Sequence, residues 1–138
     1  MSREIKFRAW YMPFGSKDPR QEMLHRHASS ILRFAEMNPD AYIVEQFTGL
    51  KDKNGKDIYE GDILAWHSNI YRKHDWVGLV LYRGAGFAVQ ESDKSYSSPE
   101  WLDCACRKDA NIIEVIGNIH ENPELLEENW RQTNEKRD

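Results

Sequence analysis

A chain of 138 residues is long enough to bury one hydrophobic core and too short for two full-sized ones. With 40% hydrophobic and 30% charged residues it has the composition of a folded protein and lacks the low hydrophobicity of a disordered one. Lys and Arg number 19 against 23 Asp and Glu, and the resulting net charge of −4 gives no support to a general electrostatic grip on nucleic acid or anionic lipid. The expected organisation is a single domain over residues 1–133, with 134–138 as a charged, frayed tail. The first residues, MSREIKFRAW, are charged and hold no apolar h-region, and no apolar run approaches a membrane span. The expectation is a cytoplasmic protein without membrane contact.

In chain order, REIKFRAWYM sets Ile5, Phe7, Ala9 and Tyr11 on one face and Lys6, Arg8 and Trp10 on the other, the period of a half-buried strand. PFGSKDP follows as a loop, since Pro13, Gly15, Asp18 and Pro19 all break regular structure. In RQEMLHRHASSILRFAEMN, Leu24, Ala28, Ile31 and Ala35 form one stripe of an amphipathic helix, stopped by Asn38-Pro39. AYIVEQFTGL reads as a strand, and Asn54-Gly55 supplies the pair wanted by a type I′ hairpin turn. DIYEGDILAW is strand-like around Gly61, which marks a bulge, a bend or a close backbone approach. WVGLVLYRGAGFAVQES is a second hairpin turning at Gly84-Ala85-Gly86, and NIIEVIGNI a last strand. HENPELLEENWRQ then starts a short C-terminal helix, with Asn122 as cap and Pro123 at the first helical position. Strands separated mainly by turns predict a mainly β (α+β) fold: a small antiparallel, partly open β-barrel with one amphipathic helix in the N-terminal half and a short C-terminal one.

Catalytic and metal chemistry finds little footing. His25, His27, Cys104 and Cys106 are zinc-type donors, but the single residue between the cysteines is too short for a zinc knuckle, and free thiols are expected. Nothing places His67, His74 or His120 beside a sulfur to activate it. The carboxylates between Asp52 and Asp62 miss the register of a calcium loop and read as a solvated turn of mixed charge, and Gly84-Ala85-Gly86 lacks the third glycine of a dinucleotide loop. No cofactor and no enzymatic activity are predicted.

Three blocks, REIKFRAW, QFTGLKDKNGKDIYEGDIL and EVIGNIHENPELL, resemble the YopX family in content, order and spacing. The resemblance implies a small, largely β protein encoded in bacteriophages and prophages, with no catalytic residues to transfer. The expected role is that of an accessory protein that binds a host or phage protein, or itself in an oligomer. Its contact residues are sought among aromatics in excess of the core: Trp10, Trp66, Trp76 and Trp130. The alternative is a nucleic-acid-binding barrel that uses Arg72, Lys73, Tyr82 and Arg83, basic residues interleaved with stacking rings.

Overall fold

The computed structural model describes residues 4–66, 76–91, 96–107 and 112–126. In chain order they form β1 (Phe7–Tyr11), β2 (Glu22–His25), α1 (Ala28–Met37), a short 3₁₀ turn (Pro39–Ala41), β3 (Tyr42–Lys51), β4 (Asp57–Tyr59), β5 (Asp62–Trp66), β6 (Trp76–Arg83), β7 (Gly86–Gln90), α2 (Pro99–Ala105) and β8 (Ile113–Asn118). The fold is mostly β, as the turn-separated strands predict. Two antiparallel four-stranded sheets, ordered β2-β1-β3-β4 and β7-β6-β5-β8, carry few short helices, and one sheet curls into a half-barrel. The chain forms two compact units, residues 1–49 and 50–138.

In the first unit β1 is central, between β2 and β3. Its alternation separates two environments. The Ala9 and Tyr11 side lies under α1, which contributes the buried Ile31, and Tyr42 joins it by stacking on Tyr11 (centroids 4.8 Å apart) and on Phe34 (6.0 Å). Burial, followed by the neighbouring Tyr11, pushes the Tyr42 phenol above its ordinary pKa. On the other side Arg8 faces Glu45 in register, and Nε donates to Oε1 over 2.9 Å with both side chains 7% exposed.

The predicted helix is shorter than its apolar stripe. Glu22–His25 is instead a strand antiparallel to β1, with Leu24 opposite Ala9. The stripe from Leu24 to Ala35 satisfies both conformations, and pairing along β1 decides the first part. The helix proper begins at Ala28 behind His27, which makes no side-chain cap, and ends as predicted at Asn38, whose N–H bonds the Phe34 carbonyl.

The second unit begins with the reversal between β3 and β4. It is the predicted hairpin but not a two-residue type I′ turn: it spans Asp52 to Lys56, with Asp52 N–H donating to the Lys56 carbonyl and Gly55 at φ +82°. Gly61, at φ +84°, divides β4 from β5. Its N–H bonds the Val80 carbonyl and its carbonyl accepts from Ile119 N–H, so of the bulge, bend or close approach expected at this glycine the chain makes a left-handed bend pinned by two backbone bonds. β5 is buried along its whole length, flanked by β6 and β8. The β6–β7 hairpin turns where predicted, with Arg83 opposite Gly86.

Between β7 and β8 runs α2, an element absent from the sequence-based expectation. Ser98 caps it by accepting from Trp101 N–H, Pro99 occupies the first turn, and Leu102 and Ala105 enter the core. That core comprises Ile58, Leu64, Trp66, Val80, Val89, Leu102, Ala105 and Ile113. After β8, Asn118 Oδ1 accepts from His120 and Glu121 N–H, while Asn122 turns its side-chain oxygen back to Asn118 N–H and does not cap the next helix. Residues 124–126 are helical; the remainder of the expected C-terminal helix and the 134–138 tail lie outside the described residues.

The return is tight at Gly117, where an added Cβ would stand 2.5 Å from Asn122 Oδ1. Gly117→Ala is expected to cost about 1–3 kcal/mol, because Asn122 cannot yield without releasing Asn118 N–H. Chemical denaturation checks this through a lower midpoint at unchanged slope.

Candidate functional site

Trp10 and Trp66 do not belong to an exposed aromatic surface. Trp10 is 7% exposed, with its indole N–H donating to Gln21 Oε1 over 2.6 Å, and Trp66 is 4% exposed in an edge-to-face contact with Trp101. Both rings are used by the core of their own unit. Trp76 opens β6 opposite Trp66, but its side chain, like Trp130, Arg72 and Lys73, lies outside the described residues.

Tyr82 and Arg83 sit at the tip of the β6–β7 hairpin. Tyr82 is exposed and packs edge-on against Phe87. The Arg83 guanidinium lies 3.7 Å from the centroid of the exposed Tyr96 ring, an arrangement that fixes a cation in place without neutralising it.

A second exposed feature lies where the breakers of PFGSKDP predict a loop. Residues 12–21 leave β1 and return into β2, held by their own hydrogen bonds. Met12 N–H bonds the Ala41 carbonyl, and Gly15 and Asp18 N–H bond the Met12 and Gly15 carbonyls. The Gln21 amide donates to the carbonyls of Ser16 (3.0 Å) and Asp18 (2.6 Å) while its oxygen holds Trp10. Arg20 forks onto Asp18, Nε to Oδ1 and Nη2 to Oδ2 at 2.9 Å each. That fork holds the Asp18 carboxyl below its ordinary pKa and the guanidinium above its own.

On this ordered frame Phe14 stands 60% exposed, with the Arg20 guanidinium 3.9 Å from its ring centroid. Beside it an open, mainly apolar depression of about 240 Å³ is lined by Tyr11, Pro13, Arg20, Gln21 and Glu22. An aromatic between Pro13 and Gly15 in a segment of breakers has no regular element to bury it, and that was the available signal.

The carboxylates of the Asp52–Asp62 region require a correction. Asp52 is not part of a solvated turn: it is buried, and it organises the reversal. Its Oδ1 accepts from Asn54 and Lys56 N–H, and its Oδ2 from Val115 N–H in β8, each at 2.9 Å. Lys53 adds a backbone bond to the Ile113 carbonyl and an ion pair with Glu114. Asp62 closes the next turn by accepting from Tyr59 N–H at 2.8 Å.

Among the described residues no three His, Cys, Asp or Glu side chains cluster so as to hold a metal ion, and no helix is long and apolar enough to cross a membrane. Cys104 and Cys106 are free thiols. Burial first, then the carboxylates of Asp103 and Asp52, pushes the Cys106 thiol up to about 11. Iodoacetamide at pH 8 is therefore expected to alkylate the exposed Cys104 and spare Cys106 in the native protein, as peptide mass spectrometry would read. Because the folded value lies above the ordinary 9.0, the stability linked to Cys106 is intact below about pH 9 and is lost as pH rises through 11.

The model of the family described as YopX protein matches residues 6–127. The chain belongs to the YopX family. No curated protein matches it. Among solved structures it is similar to protein EF1440 from Enterococcus faecalis, at 26% identity and a TM-score of 0.51, over 91% of this chain and 99% of that one.

The three sequence blocks that carry the YopX resemblance can now be assigned physical roles. REIKFRAW supplies Arg8 for the buried pair, TGLKDKNGKDIYEGDI supplies Asp52, Gly55, Gly61 and Asp62, and EVIGNIHEN supplies Gly117, Asn118 and Asn122. All three hold backbone or a buried charge. Phe14, Tyr82 and Tyr96 lie outside them.

Proposed function

We propose that this YopX protein is a non-enzymatic accessory module, encoded by a phage or prophage and acting in the host cytoplasm, that works by binding protein through the 12–21 loop. The observation that carries this reading is Phe14. A large apolar ring left mostly in water by a hydrogen-bonded loop, with a surface cation–π contact to Arg20, gains little for the monomer, whereas a partner that covers it gains the burial without having to order the loop. The adjoining Arg20 is the other residue type favoured at interface anchors.

The test is capture by the tagged protein from lysate of host cells that also produce the untagged chain, with and without nuclease, using wild type and Phe14→Ala. A protein that survives nuclease and is lost with Phe14→Ala, at unchanged melting temperature, supports the reading; equal capture by both sinks it.

A second reading, nucleic-acid binding, is favoured by one arrangement, Arg83 held over the Tyr96 ring beside the exposed Tyr82. Salt separates the two. A phosphate-dependent complex weakens steeply as salt is added, and an apolar interface hardly responds. Arg83→Ala would then reduce nucleic-acid retention and leave protein capture unchanged.

A further inference from the structure

The 12–21 loop presents a projection and a recess side by side. Phe14 stands out from it, and the depression lined by Tyr11, Pro13, Arg20, Gln21 and Glu22 opens next to it. The size of the recess limits what fits. At about 240 Å³ it is below the roughly 300–1,000 Å³ of sites that enclose a cofactor or drug-sized ligand. It exceeds the roughly 150 Å³ that suffices to hold a benzene ring. An open recess of that size can receive one aromatic side chain.

Symmetry and charge indicate whose side chain it is. A patch that carries both a projection and a recess is complementary to itself under a two-fold axis, because each copy offers its ring to the other's recess in a single closed contact. The rim carries both signs, with Arg20 and Glu22 both lining the recess and Lys17 and Asp18 on the same loop. Arg20 and Asp18 already neutralise each other within the loop, so a partner of uniform charge meets repulsion from either Lys17 or Glu22, whereas a second copy brings a Glu22 for each Lys17. We infer that two copies of this chain associate through a two-fold contact in which Phe14 of each enters the Tyr11–Pro13–Glu22 depression of the other.

This rests on the proposed binding role of the loop and names its partner. A contact built from one short loop per copy belongs with small, transient interfaces, so the dimer should form only as concentration rises. Apolar burial drives it, and moderate salt should leave it in place.

Sedimentation velocity of the full chain from low to high micromolar concentration, for wild type, Phe14→Ala and Phe14→Tyr, tests the inference, with melting temperature as the control for folding. The expected result is a concentration-dependent dimer for wild type and Phe14→Tyr, and a monomer throughout for Phe14→Ala. Wild type that stays monomeric at every concentration overturns the self-contact and leaves Phe14 available to a different protein, which lysate capture reads separately. A dimer that persists in Phe14→Ala also overturns it, by placing the interface elsewhere.

Discussion

Asp52→Ala is expected to lose about 3–5 kcal/mol of stability, a large share of what a domain of this size holds. The carboxylate accepts three backbone N–H groups from two parts of the chain: Asn54 and Lys56 in the reversal, and Val115 in β8, 63 residues away. Each such bond to an ionised acceptor contributes about 1.5–3 kcal/mol. The losses do not simply add. Water can reach the exposed turn residues Asn54 and Lys56, whereas Val115 is half-buried within β8 and its N–H is left with more of its desolvation cost. Asp52→Asn discriminates further, since the amide keeps an oxygen for the turn but sets an N–H₂ against Val115 N–H. Its midpoint in urea should fall between those of wild type and the alanine variant.

Arg8 and Glu45 give the second large effect. Removing one partner, as in Glu45→Leu, takes a 2.9 Å charge-assisted bond from a guanidinium nearly closed to solvent, and is expected to cost about 2–3 kcal/mol. Replacing both, as in Arg8→Met with Glu45→Leu, removes both desolvation costs together and should recover most of that loss. A double-mutant cycle by denaturant titration measures the coupling directly. If the double variant is no better than the worse single one, the buried pair is not what holds this side of β1.

Much of the fold could be read locally. The alternation of Phe7 to Tyr11, the Asn38-Pro39 stop and the hairpin at Gly84 depend on near neighbours, and each lies where the pattern puts it. Gly61 was legible for the same reason, since a glycine inside an apolar run signals a backbone constraint on its own. Leu24 was not legible, because its stripe fits a helix and only the distant β1 makes it a strand. Helix α2 could have been found: Ser98-Pro99-Glu100 is a cap, a first-turn proline and an acid at the positive end.

The site was less accessible for a physical reason. Tryptophan count says how many large rings exist, not how many the core absorbs, and both Trp10 and Trp66 are absorbed. The role of Asp52 depends on Val115, which no local window contains. Phe14, between Pro13 and Gly15, carried a local signal of exposure, but that hydrogen bonds from Gly15, Asp18 and Gln21 hold its loop is seen only in the fold.

On the proposed division of labour, the YopX signature holds the backbone and the contact surface lies outside it. The most direct test is partner capture by Asp52→Asn and Phe14→Ala at a low temperature where both are folded. The division predicts that Asp52→Asn, though less stable, still captures the partner, while Phe14→Ala, as stable as wild type, does not. Loss of capture in folded Asp52→Asn with capture intact in Phe14→Ala would contradict it and return the signature to the centre of function.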